Sequence, residues 1–314
     1  MMNARTAKQG NPEEVMESIK DLLKMKNAIL LAHNYEPPAI QDIADSCGDS
    51  LELSIKASQT DADVIVFCGV HFMAETASIL CPDKIILLPV ENAGCPMADM
   101  ITADALIKKR SEMPDAVVIS YVNTSAEVKA ESDICCTSAN VIQVVNSVPS
   151  EKPILMTPDK NLAQYARSRT GRDITYWSGY CPIHNNLRAD QVLKVKKAHP
   201  DAPFLAHPEC SPEVLALADE IKSTSGILAY TAHSGKQAFI IGTELGILHP
   251  LSKANPEKTF IPADPGMFCP DMKKIGLPEI QHALETMSPE VRVGQDIRIR
   301  ARAAVERMLA ILSK

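Results

Sequence analysis

The sequence has few aromatic residues, a modest acidic charge and no long apolar run. Aromatic residues make up 4% of the 314 residues, too few for a platform on which single-stranded nucleic acid stacks. The formal net charge is −7, which disfavours nucleic acid and anionic membranes, because both attract basic patches. The longest apolar run near the start covers residues 28–32, whereas a membrane-spanning helix needs about 20 residues. We therefore expect no nucleic-acid partner and no membrane partner.

Motifs of several common protein classes are missing as well. The sequence contains neither GxGxxG nor GxxxxGK[ST], so nothing indicates a Rossmann dinucleotide site or a P-loop. It also lacks GxSxG, so nothing indicates a serine hydrolase. No CxxC pair occurs, so a zinc knuckle has no support. The first residues, MMNARTAKQGNPEEV, lack the apolar stretch of a secretory signal, which predicts a cytoplasmic protein.

Nine cysteines are the unusual part of the composition. In a chain without a secretory signal, we expect thiols to be reduced, metal-binding or catalytic rather than paired in disulfides. Four stand among apolar or small residues and are expected to be buried as small hydrophobic side chains: Cys47, Cys68, Cys81 and Cys210. The sequence assigns no role to the adjacent Cys135 and Cys136.

Three sets of markers recur along the chain at one period. In every set the two intervals are 86 and 88 residues, in one order or the other. The sets are the Cys-Pro cysteines (Cys95, Cys181, Cys269), the ends of apolar runs (His33, Tyr121, His207) and the starts of helical stretches (Ser50, Ser138, Thr224). The Cys-Pro pair at Cys81 falls outside this register. The chain is therefore expected to contain three copies of one unit.

Short apolar runs alternate with helical stretches, which predicts parallel sheets covered by helices on both faces. We expect an α/β protein of three pseudo-threefold-related, three-layer α/β/α domains around a central active site. The expected domains are residues 1–113 with an N-terminal helix, 114–200, and 201–314 with a C-terminal helical tail. In the first unit the expected strands are 28–33, 63–68 and 84–88, and the expected helices are 37–46, 51–60 and 72–80. The other expected helices are 12–25, 277–287 and 295–312.

Ligands of such units collect at the carboxyl ends of the strands, where one cysteine from each unit would converge. Three thiolates leave one position of a metal or cluster open, and open iron or zinc can polarise a carbonyl or help a hydroxyl to leave. For a single Cys-Pro pair the alternative is that proline ends a strand. Three pairs in register favour metal binding.

Proton-transfer groups are expected in the same cavity. Tyr35, close to His33, can act as an acid or base if a neighbouring charge lowers its pKa. His207 and Glu209 lie on one side of an extended segment, where they relay protons or simply hydrogen-bond each other. His184 follows the second repeat cysteine closely and is expected to share the cavity.

Uncharged polar groups are expected to hold a carboxylate or phosphate. Tyr121 and Asn123 have the spacing of one side of an extended segment. Ser50, Ser138 and Thr224 stand where a strand gives way to a helix, so their hydroxyls and the nearby amides can hold an anion. N-capping is the plain alternative for these three hydroxyls.

Eight collinear segments resemble those of quinolinate synthases: HNYEP, GVHFMAETA, GCPMAD, YVNTSAEVKAESD, SGYCPIH, AHPEC, STSGI and GTELGILH. The resemblance covers about residues 30–270 and implies three similar α/β/α domains around a pseudo-threefold axis. It implies condensation of iminoaspartate with dihydroxyacetone phosphate to quinolinate, for NAD biosynthesis. An L-aspartate oxidase or dehydrogenase would supply the iminoaspartate.

The resemblance also assigns roles to residues. It implies a [4Fe–4S] cluster held by Cys95, Cys181 and Cys269, whose fourth iron engages the substrate. The implied catalytic residues are Tyr35, His184, His207 and Glu209. The implied substrate-binding residues are His33, Ser50, Tyr121, Asn123, Ser138 and Thr224. Some bacterial members carry a CxxCxxC near the C-terminus, where this chain has only Cys269, so a disulfide-type redox switch is not implied.

Other functions fit the same residues. One is an iron–sulfur hydro-lyase of different substrate range, with the same three-cysteine cluster but no condensation step. Another is a metal-free module that binds a dicarboxylate in a central cleft. A zinc hydrolase is a weaker alternative, since hydrolytic zinc more often takes histidine and carboxylate ligands.

Overall fold

The structure, a computed structural model, describes residues 11–311. It contains three four-stranded parallel sheets, each with the strand order second, first, third, fourth. The first sheet holds β1 (Ala28–His33), β2 (Ser46–Gly48), β3 (Val64–Cys68) and β4 (Ile85–Leu87). The second holds β5 (Val117–Tyr121), β6 (Ile134–Cys136), β7 (Ile154–Thr157) and β8 (Ile174–Tyr176). The third holds β9 (Phe204–Ala206), β10 (Glu220–Ile221), β11 (Ala238–Gly242) and β12 (Thr259–Pro262).

Helices connect the strands and cover the sheets. Ahead of β5 lie α1 (Pro12–Met25), α2 (Pro38–Ile43), α3 (Ser50–Gln59), α4 (His71–Leu80) and α5 (Ala103–Glu112). Between β5 and β9 lie α6 (Ala126–Ala130), α7 (Val141–Ser147), α8 (Lys160–Thr170), α9 (Pro182–Asn185) and α10 (Ala189–Ala198). After β9 lie α11 (Pro212–Leu215), α12 (Thr224–His233), α13 (Leu248–Ala254), α14 (Leu277–Thr286) and α15 (Gln295–Ile311). The predicted fold class of three α/β/α domains is confirmed.

The predicted elements of the first unit form, with one error. The predicted helix 37–46 ends at Ile43, and the next residues form the short strand β2. Three residues are too few to show an alternating pattern, and β2 exists through its parallel pairing with β1. Residue 312 of the predicted C-terminal helix lies outside the described residues, as do the first ten residues of the segment searched for a secretory signal.

A repeated aspartate fixes the first two strands of each sheet. Its backbone N–H donates to the carbonyl of a first-strand residue at 2.9–3.0 Å. Its carboxylate accepts from the N–H of that same residue at 2.7–2.8 Å. The pairs are Asp45 with Leu30, Asp133 with Val118, and Asp219 with Phe204. These aspartates keep the 88- and 86-residue intervals of the other markers, so each unit builds its sheet in the same way.

Three of the four cysteines predicted to be buried are buried, and the fourth prediction is wrong. Cys68, Cys81 and Cys210 have little or no exposure, whereas Cys47 is exposed on the edge strand β2. The corresponding edge strand β6 is covered by α15, so Cys135 and Cys136 are buried. All nine cysteines are free thiols.

The C-terminal helix joins the first two domains. α15 packs on α6 and β6 and also on α4. Ala301 on its inner face belongs to a small apolar cluster with Ile79 of α4 and Ala126 of α6. In the described part of the chain, no helix is long and apolar enough to cross a membrane.

Candidate active site

The carboxyl ends of the three sheets surround one cavity of about 210 Å³. His33 ends β1, Tyr121 ends β5, and His207 follows β9 directly. The three repeat cysteines lie in loops after the last strand of each sheet. All thirteen site residues predicted from the sequence line this cavity: His33, Tyr35, Ser50, Cys95, Tyr121, Asn123, Ser138, Cys181, His184, His207, Glu209, Thr224 and Cys269.

Glu209 is the centre of a buried hydrogen-bond network. One of its oxygens accepts from the Tyr121 hydroxyl at 2.6 Å, and the other lies 2.6 Å from His184 Nδ1. The Nδ1 of His207 is farther, at 3.7 Å. Burial opposes ionisation of Glu209, but electrostatic interactions with the two histidines and these hydrogen bonds outweigh it and lower its pKa. Glu209 is therefore a carboxylate whose main partners are His184 and Tyr121, rather than His207 alone.

The phenol of Tyr35 lies between two threonine hydroxyls. Its oxygen is 3.0 Å from Thr224 Oγ1 and 2.5 Å from Thr243 Oγ1. Burial raises the pKa of Tyr35 well above its usual value, and the nearby carboxylates Glu209 and Glu244 raise it further. The condition named for Tyr35, a pKa lowered by a neighbouring charge, is therefore not met. Tyr35 is a neutral phenol that can donate a proton or a hydrogen bond.

The two other cavity histidines are held in the neutral form. Burial lowers the pKa of His33 and of His207 to about 3. His33 Nδ1 accepts from the backbone N–H of Tyr35 at 3.1 Å, and His207 Nε2 lies 3.2 Å from Ser138 Oγ. The rings of His184 and His207 stack with centroids 4.5 Å apart. Neutral imidazoles can accept a proton from a substrate or pass one on.

The predicted hydroxyl residues are not the helix caps. Asp49 caps α3 and Ser223 caps α12, so Ser50 and Thr224 are the residues after the caps. The N-cap residue of α7 is Asn140, and Ser138 contacts His207 instead. The N-capping alternative is therefore wrong at all three positions, and these hydroxyls remain available to a ligand.

The Asn123 side chain fits a polar ligand. Its Oδ1 is buried and has no hydrogen-bond partner. A buried polar atom without a partner costs about 1–3 kcal/mol, so this atom calls for a donor that enters the cavity.

The three repeat cysteines are suited to a metal group that spans them. Burial is the main cause of the raised pKa of each thiol, which reaches about 12 for Cys95. Buried thiolates therefore need a cation to hold them. Among residues 11–311, one set of three ligand atoms lies within 4.8 Å, that of Cys181, His184 and Glu209. Of the three repeat cysteines, Cys181 belongs to that set.

The sequence prediction missed several residues of the site. Thr243 Oγ1 lies 2.8 Å from His184 Nε2 as well as 2.5 Å from the Tyr35 hydroxyl, so it bridges two predicted catalytic residues. Glu244, Asp49 and Asp271 also line the cavity. Thr243 and Glu244 follow the third strand of their sheet, a position at which the repeats could have been compared.

By its fold and its cavity, this is an α/β protein whose three α/β/α domains share one cavity lined with titratable side chains. A family model described as "Quinolinate synthetase A protein" matches residues 17–310. A quinolinate synthase from a Geobacter species is 54% identical over 299 residues, which is 95% of this chain and 98% of the relative. One from Methanosarcina barkeri is 52% identical over 298 residues, again 95% and 98% of the two chains. The chain belongs to the quinolinate synthase family, and the predicted family of NAD-biosynthesis enzymes is confirmed.

Proposed function

We propose that the protein condenses iminoaspartate with dihydroxyacetone phosphate to give quinolinate, one phosphate and two waters. The observation that carries the proposal is the meeting of all thirteen predicted site residues, from three repeats, in one cavity of a quinolinate synthase family member. The cavity offers a neutral phenol, neutral imidazoles and unpaired polar atoms, which suit a reaction made of proton transfers and dehydrations. The relatives described above support neither the alternative hydro-lyase nor the metal-free binding module.

We propose that Cys95, Cys181 and Cys269 hold a [4Fe–4S] cluster. The donor set fits: one thiol comes from each domain, and all three line the cavity. An iron without a protein ligand would act as a Lewis acid on a substrate oxygen. The relatives described above do not support the zinc hydrolase either.

The proposed acid is Tyr35, since its phenol stays protonated and its proton can be replaced through Thr243 from His184. The proposed base system is Glu209 with His184 and His207. As a carboxylate bonded to His184, Glu209 stabilises the imidazolium that forms when His184 accepts a proton. Such a pair serves enolisation and imine formation, which both need a proton moved at an uncharged carbon or nitrogen.

The proposed substrate-binding residues line the remaining wall. Ser50, Ser138 and Thr224 each present a hydroxyl beside the start of a helical segment, where amide groups favour an anion. Asn123 and Tyr121 add neutral donors and acceptors, and His33 lies next to Tyr35. Neutral donors hold carboxylate or phosphate without trapping the product in a strong ion pair.

The test begins with strictly anaerobic purification and counting of iron and sulfide per chain. We expect about four of each and absorption near about 400 nm that air bleaches, as for an oxygen-exposed cluster. Iminoaspartate and dihydroxyacetone phosphate supplied together should then yield quinolinate, while a set of hydroxy acids should not be dehydrated. A protein that stays colourless after reconstitution contradicts the cluster, and a brown protein without quinolinate formation contradicts the reaction.

Three further predictions belong with this proposal. Domain boundaries at 113/114 and 200/201 are supported by the grouping of strands, since each sheet uses strands from one of these ranges only. A cytoplasmic location is supported by nine free thiols, because reducing compartments keep thiols unpaired. An L-aspartate oxidase or dehydrogenase as the source of iminoaspartate follows from the chemistry of that substrate.

A further inference from the structure

The three units can be compared at the residue two places after the third strand of each sheet, which is the same position of the repeat in every unit. The third strands in chain order, β3, β7 and β11, end at Cys68, Thr157 and Gly242. These three residues are equivalent, because each pairs with the same position of the first strand in its own sheet. Two residues later stand Val70, Asp159 and Glu244, and each is the N-cap residue of the helix or helical turn that follows. Two of these three N-cap residues are buried carboxylates.

Asp159 holds both a helix and a cysteine. Its Oδ1 accepts from the N–H of Leu162 at 2.6 Å and caps α8. Its Oδ2 accepts from the N–H of Cys181 at 3.1 Å. The residue is 2% exposed, so water does not compete for either oxygen. A helix cap needs only one oxygen, so the second oxygen can accept from the N–H of Cys181.

Glu244 repeats this arrangement in the third domain. Its Oε2 accepts from the N–H of Gly246 at 2.6 Å, which caps the helical turn. Its Oε1 accepts from the N–H of Cys269 at 3.0 Å and lies 2.9 Å from Lys273 Nζ. Glu244 is 1% exposed. The same repeat position therefore supplies a buried carboxylate to a cysteine amide in two of the three domains.

The first domain departs from this arrangement. Its N-cap residue is Val70, which has no oxygen to offer. The loop of Cys95 is instead held by Asp271, whose Oδ1 accepts from the N–H of Gly94 at 3.3 Å. Asp271 comes from the loop of Cys269, so the third domain supplies the carboxylate that the first domain lacks.

We propose that Asp159 and Glu244 are positioning residues for the cluster cysteines Cys181 and Cys269, an inference that rests on the proposed cluster. Each carboxylate fixes the main chain at a cysteine. Each also occupies an amide N–H that could otherwise turn toward the cysteine sulfur. Hydrogen bonds to ligand sulfurs and nearby charge both set the reduction potential of a cluster. Groups that orient metal ligands typically change metal affinity or activity by about 10- to 100-fold when they are removed.

The test uses Asp159→Asn and Glu244→Gln. An amide has one acceptor oxygen and one donor nitrogen, so the Asp159→Asn side chain can keep the cap of α8 but presents a donor to the N–H of Cys181. We expect each anaerobically reconstituted variant to lose iron to a chelator about 10-fold faster than the wild type. We also expect a more positive reduction potential, because in each variant a cysteine amide is freed from its carboxylate partner and can turn toward the cysteine sulfur.

The matched control is Asp133→Asn, which changes a carboxylate that accepts from the N–H of Val118 at 2.8 Å, at the far end of the second sheet. This variant should lose thermal stability but keep the wild-type rate of iron loss and the wild-type potential. Asp159→Ser is a second variant, since serine caps a helix but is too short to reach Cys181 as well.

The outcomes separate this inference from the proposed function. Wild-type iron loss and potential in both Asp159→Asn and Glu244→Gln would overturn the positioning role. Changes that only match those of Asp133→Asn would overturn it too, because they would reflect fold stability alone. If the wild-type protein itself assembles no cluster, it is the proposed function that fails.

Discussion

The Tyr35 hydroxyl makes its two hydrogen bonds to side chains of the third domain. We expect Tyr35→Phe to leave the iron content unchanged and to remove most turnover, because the variant loses the proposed acid while its ring keeps its packing. General acids contribute about 100- to 10,000-fold to rate, so the loss of kcat should fall in that range. Iron analysis and the quinolinate assay measure the two properties, and full activity in the variant would remove Tyr35 from the mechanism.

The four Cys-Pro cysteines provide a comparison within one chain. Alanine at Cys95, Cys181 or Cys269 should abolish cluster assembly, because each would supply one of the three proposed protein ligands. Alanine at Cys81 should preserve it, since that thiol is buried away from the cavity and donates to the Ala57 carbonyl at 3.2 Å. Iron and sulfide counts after reconstitution measure both, and an intact cluster in any of the first three variants would contradict the ligand assignment.

His33 predicts a pH dependence of stability in the iron-free protein. Its pKa is about 3 in the folded chain, against about 6.5 when unfolded. Between these values the unfolded chain binds a proton that the folded chain does not, so stability falls as the pH falls. One such group contributes a slope of about 1.4 kcal/mol per pH unit. Denaturant titrations between about pH 6 and about pH 4 should show a slope smaller by that amount in His33→Gln, and equal slopes would contradict the prediction.

At the scale of single elements, the helical turn Leu245–Ile247 packs directly against the backbone of Tyr35. A Cβ atom on Gly246 would lie 2.6–2.7 Å from the Tyr35 backbone, closer than atoms can approach. The carbonyl of Gly246 also accepts from Gln41 of α2 at 3.1 Å. The turn and the HNYEP segment are therefore packed in direct contact across two domains.

We expect Gly246→Ala to displace Tyr35 and to lower both activity and melting temperature. Overpacked sites cost about 1–3 kcal/mol, and a shifted phenol no longer meets both threonines. Gly235→Ala is the matched control, because a Cβ there meets nothing within 4 Å. Melting curves and the quinolinate assay should separate the two variants, and equal behaviour would contradict a close contact at Gly246.

The elements show where sequence reasoning works and where it ends. The continuous apolar run of β3 and the amphipathic stretch of α1 are visible because each presents a recognisable pattern. The short strand β2 carries no such pattern and exists because of its pairing with β1. The aspartates that lock these strands also keep the common period, but the sequence analysis did not single them out, because their purpose depends on which amide each one faces.

At the scale of the whole molecule, the period revealed the site better than any single motif. Equivalent strand ends from three units must meet if the units face one another, so the nine markers with the common period could be predicted together. The other four cavity residues, Tyr35, Asn123, His184 and Glu209, were predicted from their closeness to these markers and from the family resemblance. Thr243 was missed because its contacts reach Tyr35 and His184 of the other two domains. Glu244 was missed because its hydrogen bonds to Gly246 and Cys269 appear only in the folded third domain. The raised pKa of Tyr35 was missed for a related reason, since burial is a property of the assembled cavity.

Because α15 packs on elements of both the first and the second domain, we expect domain packing and retention of the proposed cluster to be coupled. Ala301 lies in the apolar cluster between α4 and α6 and is fully buried. Ala301→Leu should therefore destabilise the iron-free protein by about 1–3 kcal/mol and should speed iron loss. Ala310→Leu makes the same change at an exposed position of the same helix and should do neither. Denaturation midpoints and the rate of iron loss to a chelator measure these two properties. An unchanged rate of iron loss in Ala301→Leu would contradict the expected coupling between α15 and the site.

A cavity walled by three successive domains also has a consequence for the order of events during synthesis. A ribosome releases the first two domains before the third, so two cysteines emerge while their shared cavity still lacks a wall. Cys269, Thr243 and helix α15 all follow the first two domains in the chain. The nascent protein must therefore pass through a stage with unprotected thiols, and assembly of the proposed cluster would have to wait until translation of the third domain is complete.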